Sequence, residues 1–193
     1  MECAWCGNKE CYQGRDCTDI TEDVLTLYKE NPTDLRIATI SAELEGNYYM
    51  QLTRLEELIA FAGKMEYRHL GIAFCVGLSE EAEKLHKILD KYFTVSSVCC
   101  KVCGIEKERF DLTKIIEDRA EAMCNPIGQA TVLNHEGTNL NIIFGLCIGH
   151  DIIFTKHSMA PVTTLVVKDR VLAHNPIGAI YSGYYRKKQF YEK

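Results

Sequence analysis

The chain has 193 residues, 47% of them hydrophobic and 25% charged, with a net charge of -5. Those totals suit one body with a core of its own and supply no basic run of the kind nucleic acid requires. No apolar stretch reaches membrane-spanning length, and residues 1–10 (MECAWCGNKE) lack the basic and apolar parts of a signal peptide, so the expected location is the cytoplasm.

Ten cysteines stand out against this background. In a reducing compartment, clustered cysteines point to metal or redox groups rather than disulfides, while a few can be small buried apolar side chains. The first four, Cys3, Cys6, Cys11 and Cys17, follow the pattern C-x2-C-x4-C-x5-C. Four thiolates in so short a span can wrap one centre, with Gly7 and Gly14 allowing the tight turns. Zinc accepts four sulfurs and so does a four-iron cluster. Zinc ribbons use two separated C-x2-C knuckles and only one is present, which favours iron–sulfur.

A helix is predicted over residues 21–30, stopped by Asn31-Pro32. Residues 1–34 are thus expected to form a metal-binding arm with its linking helix, and residues 35–193 an α/β domain. In that domain residues 35–42 (LRIATISA) read as a buried strand, and 49–65 as a helix with Leu52, Leu55, Leu58, Ile59, Ala62 and Met65 at helical spacing. Residues 69–76 form the next strand. Ser79 then caps a helix whose core face is Leu85, Ile88, Leu89 and Tyr92. Residues 93–100 (FTVSSVCC) are a third strand and 113–123 a helix. Asn125 caps a new helix with Pro126 at its first position, ending at Gly137. A fourth strand follows at 140–146, a short helix at 150–157, a fifth strand at 162–168, and a last helix from Asn175-Pro176 to the C-terminus. This alternation implies a three-layer fold, with about five mainly parallel strands and helices on both faces.

That order places the remaining cysteines. Cys75, Cys103 and Cys147 fall near strand ends and Cys124 at a helix start, so parallel strands would bring them to one edge of the sheet. Helix N-termini also favour the thiolate that binds metal. Cys103, Cys124 and Cys147, in turn-like surroundings, are the predicted ligands of a second centre. Cys75 and Cys100 are open alternatives as a fourth ligand, and Cys99 reads as a packed core thiol. Four polar residues at the same edge, His150, Lys168, Asp169 and His174, are the candidate catalytic groups. His150 could ligate metal, donate a proton or simply start a helix, and His174 has the pKa range for acid–base work. The run Asn125-Pro126-Ile127-Gly128 recurs as Asn175-Pro176-Ile177-Gly178, with Cys124 and His174 just before each copy.

The cysteine arm, the segment Met123-Cys124-Asn125-Pro126-Ile127-Gly128-Gln129-Ala130, and the segments GLCIGHD, APVTTLVVKDRV and AHNP together resemble an uncharacterised family. That family is described as predicted metal-binding proteins with a domain of unknown function, found mainly in anaerobic bacteria and archaea. The resemblance spans nearly the whole chain. It implies metal binding by the cysteines and brings no reaction.

Three functions follow as expectations. The first is an enzyme with one or two iron–sulfur clusters of the 4Fe-4S type, using an open iron on a small thiolated or anionic ligand. The second is a non-catalytic electron carrier or redox sensor with closed clusters and a redox partner protein. The third is a zinc-binding structural protein. No G-x-G-x-x-G or G-x4-G-K-[ST] loop supports a dinucleotide or nucleoside triphosphate.

Overall fold

The computed structural model describes residues 1–191. The chain divides into two units, Met1–Tyr49 and Met50–Lys193, so residues 35–49 go with the first unit.

In the first unit, short 3-10 turns at Cys3–Trp5 and Glu10–Gln13 precede helices α1 (Thr21–Glu30) and α2 (Pro32–Tyr48). The strand expected over 35–42 is part of α2. Pro32 occupies the first turn, and Ile37, Ile40 and Leu44 recur at helical spacing, with Ile40 and Leu44 buried. The β-favouring Thr39 and Ser41 are accommodated because their hydroxyls donate to the carbonyls of Leu35 (2.8 Å) and Ile37 (2.9 Å), one turn back.

The second unit opens with α3 (Arg54–Lys64). It starts five residues later than expected because Thr53 and Glu56 form a reciprocal capping box. Four strands follow: β1 (His69–Phe74), β2 (Thr94–Cys99), β3 (Leu140–Phe144) and β4 (Val162–Val166). They pair in the order β2-β1-β3-β4, all parallel. With residues 35–42 helical, the sheet has four strands rather than five.

Side-chain alternation sorts the core onto two faces. On one, Leu70, Ile72, Leu140, Ile142 and Phe144 meet Leu58 and Ala62 of α3 and Ala82, Leu85 and Leu89 of α4 (Ser79–Leu89). On the other, Ala73, Val98 and Ile143 meet Ala130 and Leu133 of α5 (Pro126–Glu136) and Phe154 of α6 (His150–His157). The result is the expected three-layer α/β arrangement. Ile88 and Tyr92, expected on the core face of α4, are exposed. Ser79 is the first residue of α4 rather than its cap, and its hydroxyl donates to Val76 O.

At Gly71 the second face is packed so closely that a Cβ would strike Asn141 Oδ1 and Leu133. Asn141 is fully buried and satisfied, accepting from Thr138 Oγ1 and donating to Ser158 Oγ, both at 2.8 Å.

The helix expected over 113–123 is absent. Residues 105–123 instead make an excursion zipped at its base. Glu106 and Ala122 bridge antiparallel, Met123 N donates to Ile105 O at 2.7 Å, and Lys107 pairs with Glu121 at 2.8 Å. The last helix is also interrupted, into α7 (Ile177–Tyr181), α8 (Gly183–Tyr185) and a π-helical turn over Arg186–Tyr191. Among the described residues no helix is long and apolar enough to cross a membrane.

Candidate metal centre

The winding of the sheet determines where a site can form. β1 and β3 are neighbours, but the helix after β1 (α4) covers one face and the helix after β3 (α6) covers the other. Where consecutive connections leave on opposite faces, a crevice opens outside the carboxyl ends of the strands, and in open α/β sheets ligands bind there. Every strand delivers a reactive side chain to this edge. Cys75 follows β1, Cys100 follows β2, Cys147 lies just past β3, and Lys168 and Arg170 lie just past β4.

Cys124 arrives by another route. The zipped excursion returns the chain to β2, where Asn125 N donates to Cys100 O at 2.7 Å and Asn125 Nδ2 to Val102 O at 3.3 Å. Asn125 Oδ1 then accepts from Gly128 N at 2.8 Å and starts α5 as anticipated. Cys124 is thereby held against Cys100, at the foot of a helix.

Cys100 neighbours both Cys75 and Cys124, and the three thiols perturb one another's ionisation. The Cys75 thiol is held down at about 4, chiefly by Cys100, with help from the Gly77 N–H and Lys168 and against the effect of burial. Cys124 is held at about 5, again chiefly by Cys100, with Lys101 and His150 adding positive charge. Cys100 is pushed well up by Cys124 and Cys75 and by its own burial. Cys100 is therefore the hardest of the three to ionise. Lys101 also donates to Ala122 O at 2.6 Å, which fixes it beside Cys124. Gly77 lies beside both groups: a Cβ there would be in ordinary contact with Lys168 Nζ (3.6 Å) and Cys75 Sγ (4.0 Å).

Cys147 has its own cation. Arg170 Nη2 donates to Cys147 Sγ at 2.9 Å, and the guanidinium is pushed further up first by Cys147 and then by the charges of Cys75 and Cys124. The loop carrying Arg170 is self-supporting. Asp169 Oδ1 accepts from the N–H of Val171 (2.9 Å) and Leu172 (2.8 Å), and His174 Nδ1 accepts from Asp169 N at 3.1 Å. Ala173 and His174 both adopt left-handed backbone (φ 49 and 63) to close it. His150 begins α6, and its N–H donates to Cys147 O at 2.9 Å.

Of the expected edge residues, Cys124 thus sits near Cys100 and Cys147 beside Arg170. Cys103 is exposed, in a 3-10 turn after β2 with φ 70. Cys75 and Cys100, open alternatives in the sequence, are the two buried cysteines. Lys101 is a cation the sequence reading passes over, and Arg170 enters it only as part of the polar run Lys168-Asp169-Arg170. Their one signal is position: each lies within four residues of a strand end. Asp169 and His174 direct their polar atoms into the loop, and Lys168 reaches toward Cys75.

The arm is organised only locally. Cys3, Cys6, Cys11 and Cys17 are all exposed. Cys6 Sγ accepts from Lys9 N at 3.4 Å, Cys6 N donates to Cys3 O at 3.2 Å, and Gly14 N to Cys11 O at 3.1 Å. Asp16 accepts from Thr21, from the side chain and N–H of Thr18, and from Asp19 N, which holds its carboxyl well below the usual range and turns the chain around Cys17.

As it stands, no group of three or more His, Cys, Asp or Glu among the described residues could hold a metal ion. The donors gathered at the edge are thiols, the ligand type that soft metals and iron–sulfur clusters take. Beneath them Gln129 Nε2 donates to Val98 O (2.7 Å) and Phe74 O (3.1 Å), while its buried Oε1 has no hydrogen-bond partner.

Residues 12–165 match the family model "Protein of unknown function (DUF1847)". The "Uncharacterized protein MJ0455" of Methanocaldococcus jannaschii is 59% identical over 189 residues, 97% of each chain. No solved structure matches the chain. The chain therefore belongs to the DUF1847 family.

Proposed function

We propose that this is an iron–sulfur protein with two centres, one held by the arm cysteines Cys3, Cys6, Cys11 and Cys17, the other by thiols at the carboxyl edge of the sheet, and that the edge centre works on a small thiolated or anionic molecule. One observation carries the reading: thiols carried by separate loops lie at the carboxyl edge of the sheet, and three of them have a cation nearby. Lys168 accompanies Cys75, Lys101 accompanies Cys124, and Arg170 accompanies Cys147. Clustered thiolates repel one another, and buried anions are costly unless paired. Cations placed beside them lower that cost and favour the deprotonated form that binds metal.

A cluster in this place would supply a Lewis-acidic iron. The chain's own residues do the rest. Lys168 and Arg170 attract and orient an anionic ligand, and His150 stands ready to take or give a proton at the ring nitrogen. Asp169 and His174 hold the loop that presents Arg170.

Anaerobic purification followed by iron, sulfide and zinc analysis tests the reading. Iron and sulfide with brown absorption are expected. Zinc in their place would leave a structural zinc protein, and a protein free of both metals would overturn the proposal. An iron–sulfur spectrum indifferent to every small thiol and anion would turn the reading toward an electron carrier.

A further inference from the structure

We propose that Cys75 and Cys100 are an oxidisable pair, which a peroxide closes into a disulfide between β1 and β2 and a small dithiol reopens. The inference concerns the metal-free thiols and does not rest on the metal reading above.

The register of the sheet carries it. β1 and β2 run parallel, with His69 beside Thr94 and Phe74 beside Cys99. Thr94 N donates to Arg68 O at 2.9 Å, and Cys100 N makes the equivalent bond to Phe74 O at 2.9 Å. The ladder therefore continues one step and sets Cys75 beside Cys100. Side chains alternate along a strand, so both fall on the core face that holds Ala73 and Val98, two residues before each. Neighbouring strands lie about 4.8 Å apart, inside the Cα separation of about 4.4–6.8 Å that a disulfide spans. The two sulfurs also lie against one turn. Val76 N donates to Cys100 Sγ at 3.3 Å, and a Cβ built on Gly77 would stand 4.0 Å from Cys75 Sγ. Among the described residues no other two cysteines come side by side on paired strands.

Exposure sets the order of events. Cys75 is 8% exposed and precedes the exposed Val76, whereas Cys100 is 2% exposed, so a peroxide meets Cys75 first. The Cys75 thiol gives up its proton and its sulfur attacks one peroxide oxygen. The O–O bond breaks, a sulfenic acid remains on Cys75, and the departing hydroxide takes the proton to become water. The Cys100 sulfur then attacks the Cys75 sulfur. The S–S bond forms, the S–O bond breaks, and hydroxide leaves as water with the Cys100 proton. Two thiols and hydrogen peroxide become one disulfide and two waters, with two electrons passing from sulfur to oxygen. A dithiol reverses the step by exchange and ends as its own disulfide. While closed, the pair presents no thiolate to a metal or an electrophile.

The test treats the metal-free full chain with a graded series of hydrogen peroxide concentrations, alkylates the remaining thiols, and maps the unreduced digest by mass spectrometry. A peptide pair joined through Cys75 and Cys100 is expected, and dithiothreitol should remove it. In Cys100→Ala the sulfenic acid has no resolving thiol, so dimedone should label Cys75 there and not in the parent chain. Cys100→Ser serves if the alanine form misfolds. Recovery of Cys75 and Cys100 as alkylated thiols at peroxide concentrations that have oxidised the arm cysteines overturns the inference. So does a crosslink of Cys100 to Cys124 in place of Cys75, or a Cys75 that stays unmodified in both folded Cys100 variants. The metal content of the protein as purified is a separate measurement, and it bears on the metal reading alone.

Discussion

The two cysteine regions are built in opposite ways. In the arm, four cysteines lie within 15 residues of one another, all exposed, and residues 1–30 contain no buried side chain. Their arrangement comes from short-range hydrogen bonds such as Lys9 N to Cys6 Sγ. At the sheet edge the cysteines are separated by more than 20 residues each, and Cys75 and Cys100 are buried among residues of the second core face. The lesson is where stability resides. The edge is positioned by a core, whereas residues 1–30 bury no side chain, so an ion bound there would itself supply the folding energy, as in small metal-bound domains.

The sharpest way to break this contrast is to damage the core. Ile142 is fully buried on the central strand β3. Ile142→Ala should cost about 2–5 kcal/mol in urea denaturation and loosen the edge thiols with it. A loss near zero would mean that the sheet does not carry the edge.

Next in size is the cap that seats Cys124. Asn125→Ala removes the bond from Gly128 N and should cost about 1 kcal/mol. In the metal-free protein it should also speed alkylation of Cys124. Unchanged stability together with unchanged alkylation would remove Asn125 from the account.

The arm should respond in the other direction. Cys6→Ser with Cys11→Ser should remove about half the bound metal, as expected if two centres are held separately, and leave the urea midpoint of the larger unit where it was. Unchanged metal content would rule out the arm centre.

A titration sharpens the edge itself. The ordinary thiol value is 9.0, and Cys75 and Cys124 lie below it at about 4 and about 5. Both are therefore thiolates at neutral pH in the metal-free protein and take up protons only as the pH falls through those values. Cys100→Ala removes the largest cause of both depressions, so ultraviolet thiolate absorption should appear at higher pH. Midpoints that stay in place would mean that the cations, and not Cys100, hold the thiols ionised.

Much of the fold was legible in the sequence because it depends on local chemistry. The α1 stop at Asn31-Pro32, the Asn125 cap with Pro126, the end of α5 at Gly137 and the span of α6 all follow from residues within a few positions of one another. The run LRIATISA misled because apolar residues at 35, 37 and 40 satisfy alternation in part and helical spacing in part, and Pro32 together with Leu44 resolves the choice toward a helix. Residues 113–123 misled because helix propensity was overridden by the clasp between 105–107 and 121–123.

The chain by itself determined that thiols would gather at a strand edge, since strands alternating with helices run parallel and end on one side. Only the tertiary structure decided which thiols those are. The strand order β2-β1-β3-β4 makes Cys75 and Cys100 neighbours, the zipped excursion returns Cys124 to them, and the loop built by Asp169 and His174 brings Arg170 to Cys147. Each of these depends on pairing between segments distant in sequence, and such pairing leaves no trace in local composition.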